Sequence, residues 1–125
     1  MNTPTHLLYT KSHEWVLLEN TLAIVGITDF AQGELGDIIF LEFPEVGHTV
    51  AKDDPFGTIE AVKTVADLLA PLSGKIVEIN DSLDDSPEKV NTDPYGDGWI
   101  VKMELSDPSE TSQLLGADDY AEIIK

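Results

Sequence analysis

The stretch that decides the fold of this chain runs from Phe56 to Gly74 and reads FGTIEAVKTVADLLAPLSG. Two strand-like segments flank Lys63 within this stretch, and Pro71 marks the turn that follows the second of them. The pattern predicts a β-hairpin whose tip is Lys63 with its two neighbours. A lysine at such a tip holds its ε-amine in solvent, where another enzyme can acylate it, although most lysines are solvated residues without such a role.

Frequent glycines divide the rest of the chain into short segments, which favours short strands joined by turns over long helices. Segments rich in Ile, Val and Phe, some of which alternate with polar residues, predict the strands. The candidate strands are His13–Leu18, Leu22–Ile27, Asp37–Glu42, Phe56–Val62, Val65–Ala70, Gly74–Ile79 and Trp99–Met103.

Capping residues and helix stops predict a few short helices. They begin at Thr28 (through Phe30 to Leu35, with Gly36 as the stop), at Ser86-Pro87, at Asp107-Pro108-Ser109-Glu110 and at Asp118 (through Ile124). The sequence shows no linker, low-complexity tract or second hydrophobic unit. We therefore expect one mainly β domain with small peripheral helices, spanning residues 1–125.

The charge of the chain restricts its partners. It has 24 acidic residues against 7 lysines, no arginine, and a net charge of −17. Such a surface repels nucleic acid and anionic membranes, so neither is expected as a partner. The same excess would also serve solubility alone, or reflect the acidic proteome of a salt-adapted organism.

Several classes of active site lack sequence support. The absence of Cys excludes disulfides and thiol nucleophiles, and the three histidines are too widely separated to suggest a metal site. No nucleophile motif or Gly-rich phosphate loop is present, so we expect no catalytic residue. The N-terminus shows neither a secretory signal nor a transit peptide, which predicts a cytoplasmic protein. The alternative is a mitochondrial matrix protein whose transit peptide has been removed.

Four ordered motifs resemble the H protein family of the glycine cleavage system, whose members are lipoyl carriers. The hairpin carries Gly57, Glu60, Val62 and Lys63, then Pro71, Ser73 and Gly74, whereas Ala61, Leu69 and Ala70 differ from the family's usual residues. The other matching blocks are Tyr9–Trp15, Val25–Gln32 with Leu35–Ile38, and Asn91–Trp99. One such motif would be weak support, but four in the family's order are highly specific.

The resemblance implies a fold, a cofactor and partners. The fold would be the hybrid barrel-sandwich of lipoyl and biotinyl carriers, with short peripheral and C-terminal helices in a single lipoyl-carrier domain, residues 1–125. Lipoate would be attached covalently to Lys63. The arm would carry the aminomethyl group of decarboxylated glycine between glycine decarboxylase (P protein), aminomethyltransferase (T protein) and dihydrolipoyl dehydrogenase (L protein). Lipoate-attaching enzymes would be further partners, and the carrier itself would be no enzyme.

Three acidic residues are candidates for supporting roles. An aminomethyl group decomposes when its nitrogen lone pair is free, so a carboxylate beside the docked arm would protect it by keeping the nitrogen protonated. Glu14 and Asp67 are the candidates, because both fall in segments that border the arm's cleft in the family. Glu60 would mark the site for a lipoylating enzyme. Each of the three could instead be an ordinary solvated acid.

Two other functions use the same lysine. Biotin carriers also present a hairpin lysine, but they resemble one another in a Met-Lys-Met triplet, whereas Lys63 lies between Val62 and Thr64. The second alternative is a lipoyl relay that donates its lipoate to other complexes. The sequence does not separate such a relay from a glycine cleavage carrier, because both need lipoylated Lys63.

Overall fold

A computed structural model describes residues 3–125, so Met1 and Asn2 of the predicted domain lie outside the described residues. Strands dominate this part of the chain. They are β1 (Leu8–Tyr9), β2 (Glu14–Glu19), β3 (Leu22–Ile27), β4 (Ile38–Glu42), β5 (Thr49–Val50), β6 (Pro55–Ala61), β7 (Val65–Leu69), β8 (Gly74–Ile79) and β9 (Val101–Leu105). The mainly β class predicted from the sequence is confirmed.

The strands form two antiparallel sheets. The larger has the order β1-β2-β3-β9-β8-β5, and the smaller has the order β4-β6-β7. Buried Val, Ile and Leu side chains from both sheets pack into one core, which includes Val25, Ile59, Leu68, Ile76 and Met103. Because β7 pairs with β6 alone, its other edge is open to a neighbouring element.

The helices are short and lie between or after the strands. They are α1 (Asp29–Leu35), α2 (Ser82–Asp85), α3 (Lys89–Thr92) and α4 (Ala117–Ile123), with a 3-10 helix at Pro108–Gln113. The predicted cap at Thr28 is confirmed, since its side chain accepts a hydrogen bond from the Ala31 amide and Gly36 ends the helix. Asp107 likewise caps the 3-10 helix through the Ser109 amide.

The helix predicted to start at Ser86-Pro87 is wrong in its start. Ser86 instead ends α2, because its amide donates to the Ser82 carbonyl and its ψ of 62° lies outside the helical region. A residue before proline disfavours the helical conformation, so Pro87 separates α2 from α3. The sequence pattern predicts a helix that starts at this proline, whereas in the structure the proline separates two helices.

The starts of β2, β4, β6 and β9 also differ from the prediction by one or two residues, and the backbone explains those of β2 and β9. His13 has a φ of 73°, a left-handed conformation that cannot continue a pleated strand, so β2 begins at Glu14. Strand β9 begins at Val101 because Trp99 still belongs to a turn, in which its amide donates to the Gly96 carbonyl. The short strands β1 and β5 carry too few residues to give a periodic signal.

A second, smaller core joins the chain ends. Tyr9 and Tyr120 stack with ring centroids 4.6 Å apart, and Trp15 and Leu7 are buried beside them. The C-terminal helix α4 is thereby held against β1 and β2, next to the loop that contains His13. This contact positions part of the site described below.

Candidate functional site

Lys63 lies at the tip of the hairpin formed by β6 and β7. The strands pair Glu60 with Val65, and the Ala61 amide donates to the Thr64 carbonyl across the tip at 2.8 Å. Lys63 is exposed, as are both of its neighbours. The hairpin predicted from the sequence is confirmed, and its tip holds the ε-amine in solvent.

The tip rests on the segment that follows α1. The Val62 amide donates to the Asp37 carbonyl at 3.0 Å. A β-carbon added at Gly36 would lie 3.4 Å from Lys63 Cε, so the lysine stem lies against this glycine. Asn91 holds the glycine in turn, since its Nδ2 donates to the Gly36 carbonyl at 2.8 Å. The hairpin tip with Lys63 thus packs against the end of α1.

A cleft of about 410 Å³ runs between α1, the start of β2 and the open edge of β7. Its lining is largely apolar and includes Phe30 and Leu35 from α1 and Leu68 from β7. The polar groups along it include Glu14 and Asp67. Leu35 of this lining immediately precedes Gly36, the glycine that the stem of Lys63 lies against.

Glu14 is the buried acid of this cleft, with only 3 % of its surface exposed. Its Oε1 accepts hydrogen bonds from Thr10 Oγ1 at 2.7 Å and from Ser12 Oγ at 2.6 Å. Burial raises the pKa of Glu14 to about 7, although hydrogen bonds from Ser12, Thr10 and the Leu69 backbone oppose the rise. A cation placed beside it would favour the ionised form, so the carboxyl can respond to a charged ligand near neutral pH.

Asp67 differs from Glu14 in its surroundings. It is exposed on β7 in register with Thr58, and it also lines the cleft. The fold therefore brings both predicted docking acids to one cleft, although they are far apart in sequence.

Glu60 lies apart from that cleft, on the outer face of the smaller sheet. It is in register with Phe40 on β4 and with Val65 on β7. Both neighbours are exposed apolar side chains, at 52 % and 58 %. Glu60 therefore stands in an apolar row beside the Lys63 tip.

Sequence reasoning missed two residues at the cleft. His13 lines the wall, and its ring packs on Phe30 with centroids 4.8 Å apart. Tyr120 reaches His13 from α4, where its hydroxyl lies 2.8 Å from Nδ1. The position of His13 beside Glu14 was a usable signal, but no local pattern connects Tyr120 with a residue at the other end of the chain.

Other kinds of site find no support in residues 3–125. No group of three or more His, Asp or Glu side chains in that range is placed to hold a metal ion. Within the same range, no helix has the length and apolar character needed to cross a membrane.

Comparison with known proteins gives a consistent result. Residues 7–125 match the family model described as glycine cleavage H-protein. Glycine cleavage system H proteins of Bacillus mycoides (strain KBAB4) and Salinibacter ruber (strain DSM 13855 / M31) are 54% and 56% identical over 123 residues, covering 98% of this chain and 97% and 99% of theirs. A solved glycine cleavage system H protein from Mycobacterium marinum matches with a TM-score of 0.88 at 41% identity, covering 95% of this chain and 96% of that one. This likeness confirms the fold class that the resemblance implied.

Proposed function

Because this chain belongs to the glycine cleavage H-protein family and is a lipoyl carrier of that system, we propose that Lys63 holds the lipoyl group in amide linkage. The observation that carries the proposal is the position of Lys63 at an exposed hairpin tip, with its stem against Gly36, which directly follows Leu35 of the apolar cleft lining. The family motif around Lys63 supports the same residue.

The cleft suits a lipoyl group chemically. Phe30, Leu35 and Leu68 offer apolar contacts for an alkyl chain and a dithiolane ring, and Glu14 and Asp67 add charge along the wall. When bound, the group supplies a disulfide that accepts the aminomethyl group, on an arm that reaches roughly 14 Å from the backbone. Lys63 would then provide the attachment, and the cleft would provide a largely apolar surface on which the arm can lie.

We further propose that Glu14 and Asp67 protect the cargo amine. Glu14 is buried and acts through a carboxyl whose pKa of about 7 falls when a cation arrives. Asp67 adds a second negative charge from the exposed side of the cleft. Together they favour the protonated amine, whose lone pair is then unavailable to expel the sulfur.

Glu60 is proposed as a recognition residue for the lipoate-attaching enzyme. Any enzyme that acylates Lys63 has to cover the hairpin tip, where Phe40 and Val65 form an exposed apolar row with Glu60 between them. An attaching enzyme with an apolar mouth and a basic rim would complement this surface.

The chain itself performs no chemistry in this proposal. Its partners in the cycle would be glycine decarboxylase, aminomethyltransferase and dihydrolipoyl dehydrogenase, each of which binds the arm in turn. With bacterial relatives at more than half identity, a cytoplasmic location is the proposed one.

The attachment is tested by intact mass. Purified protein incubated with a lipoate ligase, lipoate and ATP is expected to gain the mass of one lipoyl group, and Lys63→Arg is expected to gain none. Lys75→Arg is the matched control, because Lys75 is also exposed but lies on the larger sheet. A full lipoyl adduct on Lys63→Arg would contradict the proposal.

The role of Glu60 is tested by the initial rate of that reaction. Glu60→Gln is expected to slow it several-fold, whereas Glu42→Gln should not. Glu42 lies on the same sheet at the neighbouring outward row, which is farther from the tip. Equal rates for both variants would show that Glu60 is an ordinary strand residue.

A further inference from the structure

The C-terminal helix reaches the wall of the cleft through one buried hydroxyl group. Tyr120 on α4 is fully buried, and its Oη lies 2.8 Å from His13 Nδ1 and 2.7 Å from Thr28 Oγ1. His13 lines the cleft, and Thr28 caps α1, which forms the opposite wall. One hydroxyl therefore connects two elements of the site.

The direction of these hydrogen bonds follows from the helix cap. Thr28 Oγ1 accepts the Ala31 amide hydrogen at 3.2 Å, and the side chain is fully buried. Its own proton needs an acceptor, since a buried unpaired donor is disfavoured, and Tyr120 Oη is within reach. Tyr120 then donates its proton to His13 Nδ1. A neutral imidazole whose Nδ1 accepts a hydrogen bond carries its proton on Nε2.

If His13 were charged, the two hydrogen bonds of the Tyr120 hydroxyl group would have to reverse their direction. An imidazolium carries hydrogen on both nitrogens, so Nδ1 would have to donate to Tyr120 Oη. Tyr120 would then donate to Thr28, whose buried proton would lose its acceptor. The cost of leaving the buried Thr28 proton without an acceptor thus opposes protonation of His13.

The surrounding charges act in the other direction. Three carboxylates line the cleft: Glu14 from the start of β2, Glu34 from α1 and Asp67 from β7. Burial lowers the pKa of His13, while the charge of Glu34 raises it. Burial and the hydrogen-bond chain therefore act together in favour of the neutral ring, against these carboxylates.

We propose that the chain Thr28–Tyr120–His13 fixes His13 as the neutral, Nε2-protonated tautomer, which makes Tyr120 a positioning residue of the cleft. The benefit rests on the proposed function. A neutral His13 leaves Glu14 and Asp67 as counter-charges for a cationic cargo amine, whereas an imidazolium would repel it.

The hydrogen-bond chain Thr28–Tyr120–His13 is tested first on unmodified protein, by NMR of the histidine ring nitrogens. The wild type is expected to show a bare Nδ1 and a protonated Nε2 at His13. In Tyr120→Phe the midpoint of His13 titration is expected to rise by roughly one pH unit, a tenfold gain in proton affinity. The exposed His6 and His48 are internal references. A wild-type ring protonated on Nδ1, or an unchanged midpoint in the variant, would overturn the assignment.

Two variants separate the effect of the hydrogen-bond chain on the His13 titration from the effect of general packing. Tyr9→Phe is the matched control, because Tyr9 stacks on Tyr120 but donates its hydroxyl to Pro4 instead, so the His13 midpoint should not move. Thr28→Ser keeps the cap oxygen and its proton, so it should preserve the wild-type tautomer. Equal shifts of the His13 midpoint in Tyr9→Phe and Tyr120→Phe would show that packing, and not the hydrogen bond, causes the shift.

The effect of the His13 charge on the cargo is tested by measuring how fast the loaded arm decays at different pH values. Tyr120→Phe is expected to decay faster than wild type near pH 6.5 and equally above pH 8, where His13 is neutral in both proteins. A purely structural defect would give a constant ratio at every pH. An unchanged decay rate together with a shifted titration would overturn the charge argument while leaving Lys63 as the attachment point untouched.

Discussion

Lys63 lies across Gly36: a β-carbon at position 36 would stand 3.4 Å from Lys63 Cε and 3.9 Å from its Nζ. The two residues belong to different elements, since one forms the tip of the β6–β7 hairpin and the other ends α1. Gly36 has a φ of 83° and a ψ of −155°, a backbone conformation that favours glycine. The stem of Lys63 lies against this glycine, which directly follows Leu35 of the cleft lining.

Gly36→Ala is expected to lower the free energy of unfolding by about 2 kcal/mol, because its φ of 83° and ψ of −155° lie in a region that essentially only glycine adopts. A backbone shift that relieves this strain would move the segment on which the hairpin tip rests, so lipoylation should slow. Gly33→Ala is the control, since Gly33 lies inside α1 with open space around its would-be β-carbon. That change should raise stability by about 0.5–1 kcal/mol. Urea unfolding and ligase kinetics provide the two measurements.

Glu14→Gln is expected to change the pH dependence of stability. The folded pKa of Glu14 is raised from 4.5 to about 7, so the folded state binds this proton more tightly than the unfolded state. Stability from this group is fully present below about pH 4.5 and is lost as pH rises through 7, by about 3 kcal/mol in all. Urea unfolding at pH 5 and pH 8 should show that loss in wild type and lack it in Glu14→Gln.

Glu14→Gln and Asp67→Asn are both expected to accelerate decay of the loaded arm. Loss of about 1 kcal/mol of charge attraction corresponds to roughly a fivefold increase in rate. Asp84→Asn, on an exposed residue of α2, is the control. The readout is formaldehyde release from loaded protein, and unchanged decay in both cleft variants would sink the protective role.

Gly26→Ala is expected to destabilise the smaller core at the chain ends. Trp15 packs directly on Gly26, where an added β-carbon would lie 2.6 Å from Nε1, and that nitrogen donates to the Pro94 carbonyl at 2.8 Å. Displacing the indole should cost about 2 kcal/mol. Denaturation followed by tryptophan fluorescence tests this, with Gly116→Ala as the control because nothing lies near its would-be β-carbon. Equal midpoints would contradict the packing argument.

Local patterns predicted most of the elements well. The strands β3 and β8 match their predicted bounds, because alternating and β-branched residues report local structure directly. The cap at Thr28 was equally readable. The start of β2 was not, since histidine only weakly favours the left-handed φ that His13 adopts. The predicted start of α3 was wrong, because Pro87 lies between the end of α2 and the start of α3.

The sequence by itself predicted Lys63 as the attachment lysine and determined its hairpin and the family, because these depend on ordered local motifs from Tyr9 to Trp99. Tertiary structure alone decided what surrounds the cleft. It placed Glu14 in a buried position where desolvation raises its pKa, and it brought Asp67 to the same cleft. It also placed Tyr120 beside His13, 107 residues apart in the chain. Burial and long-range contact follow from how the two sheets pack, which no local pattern records.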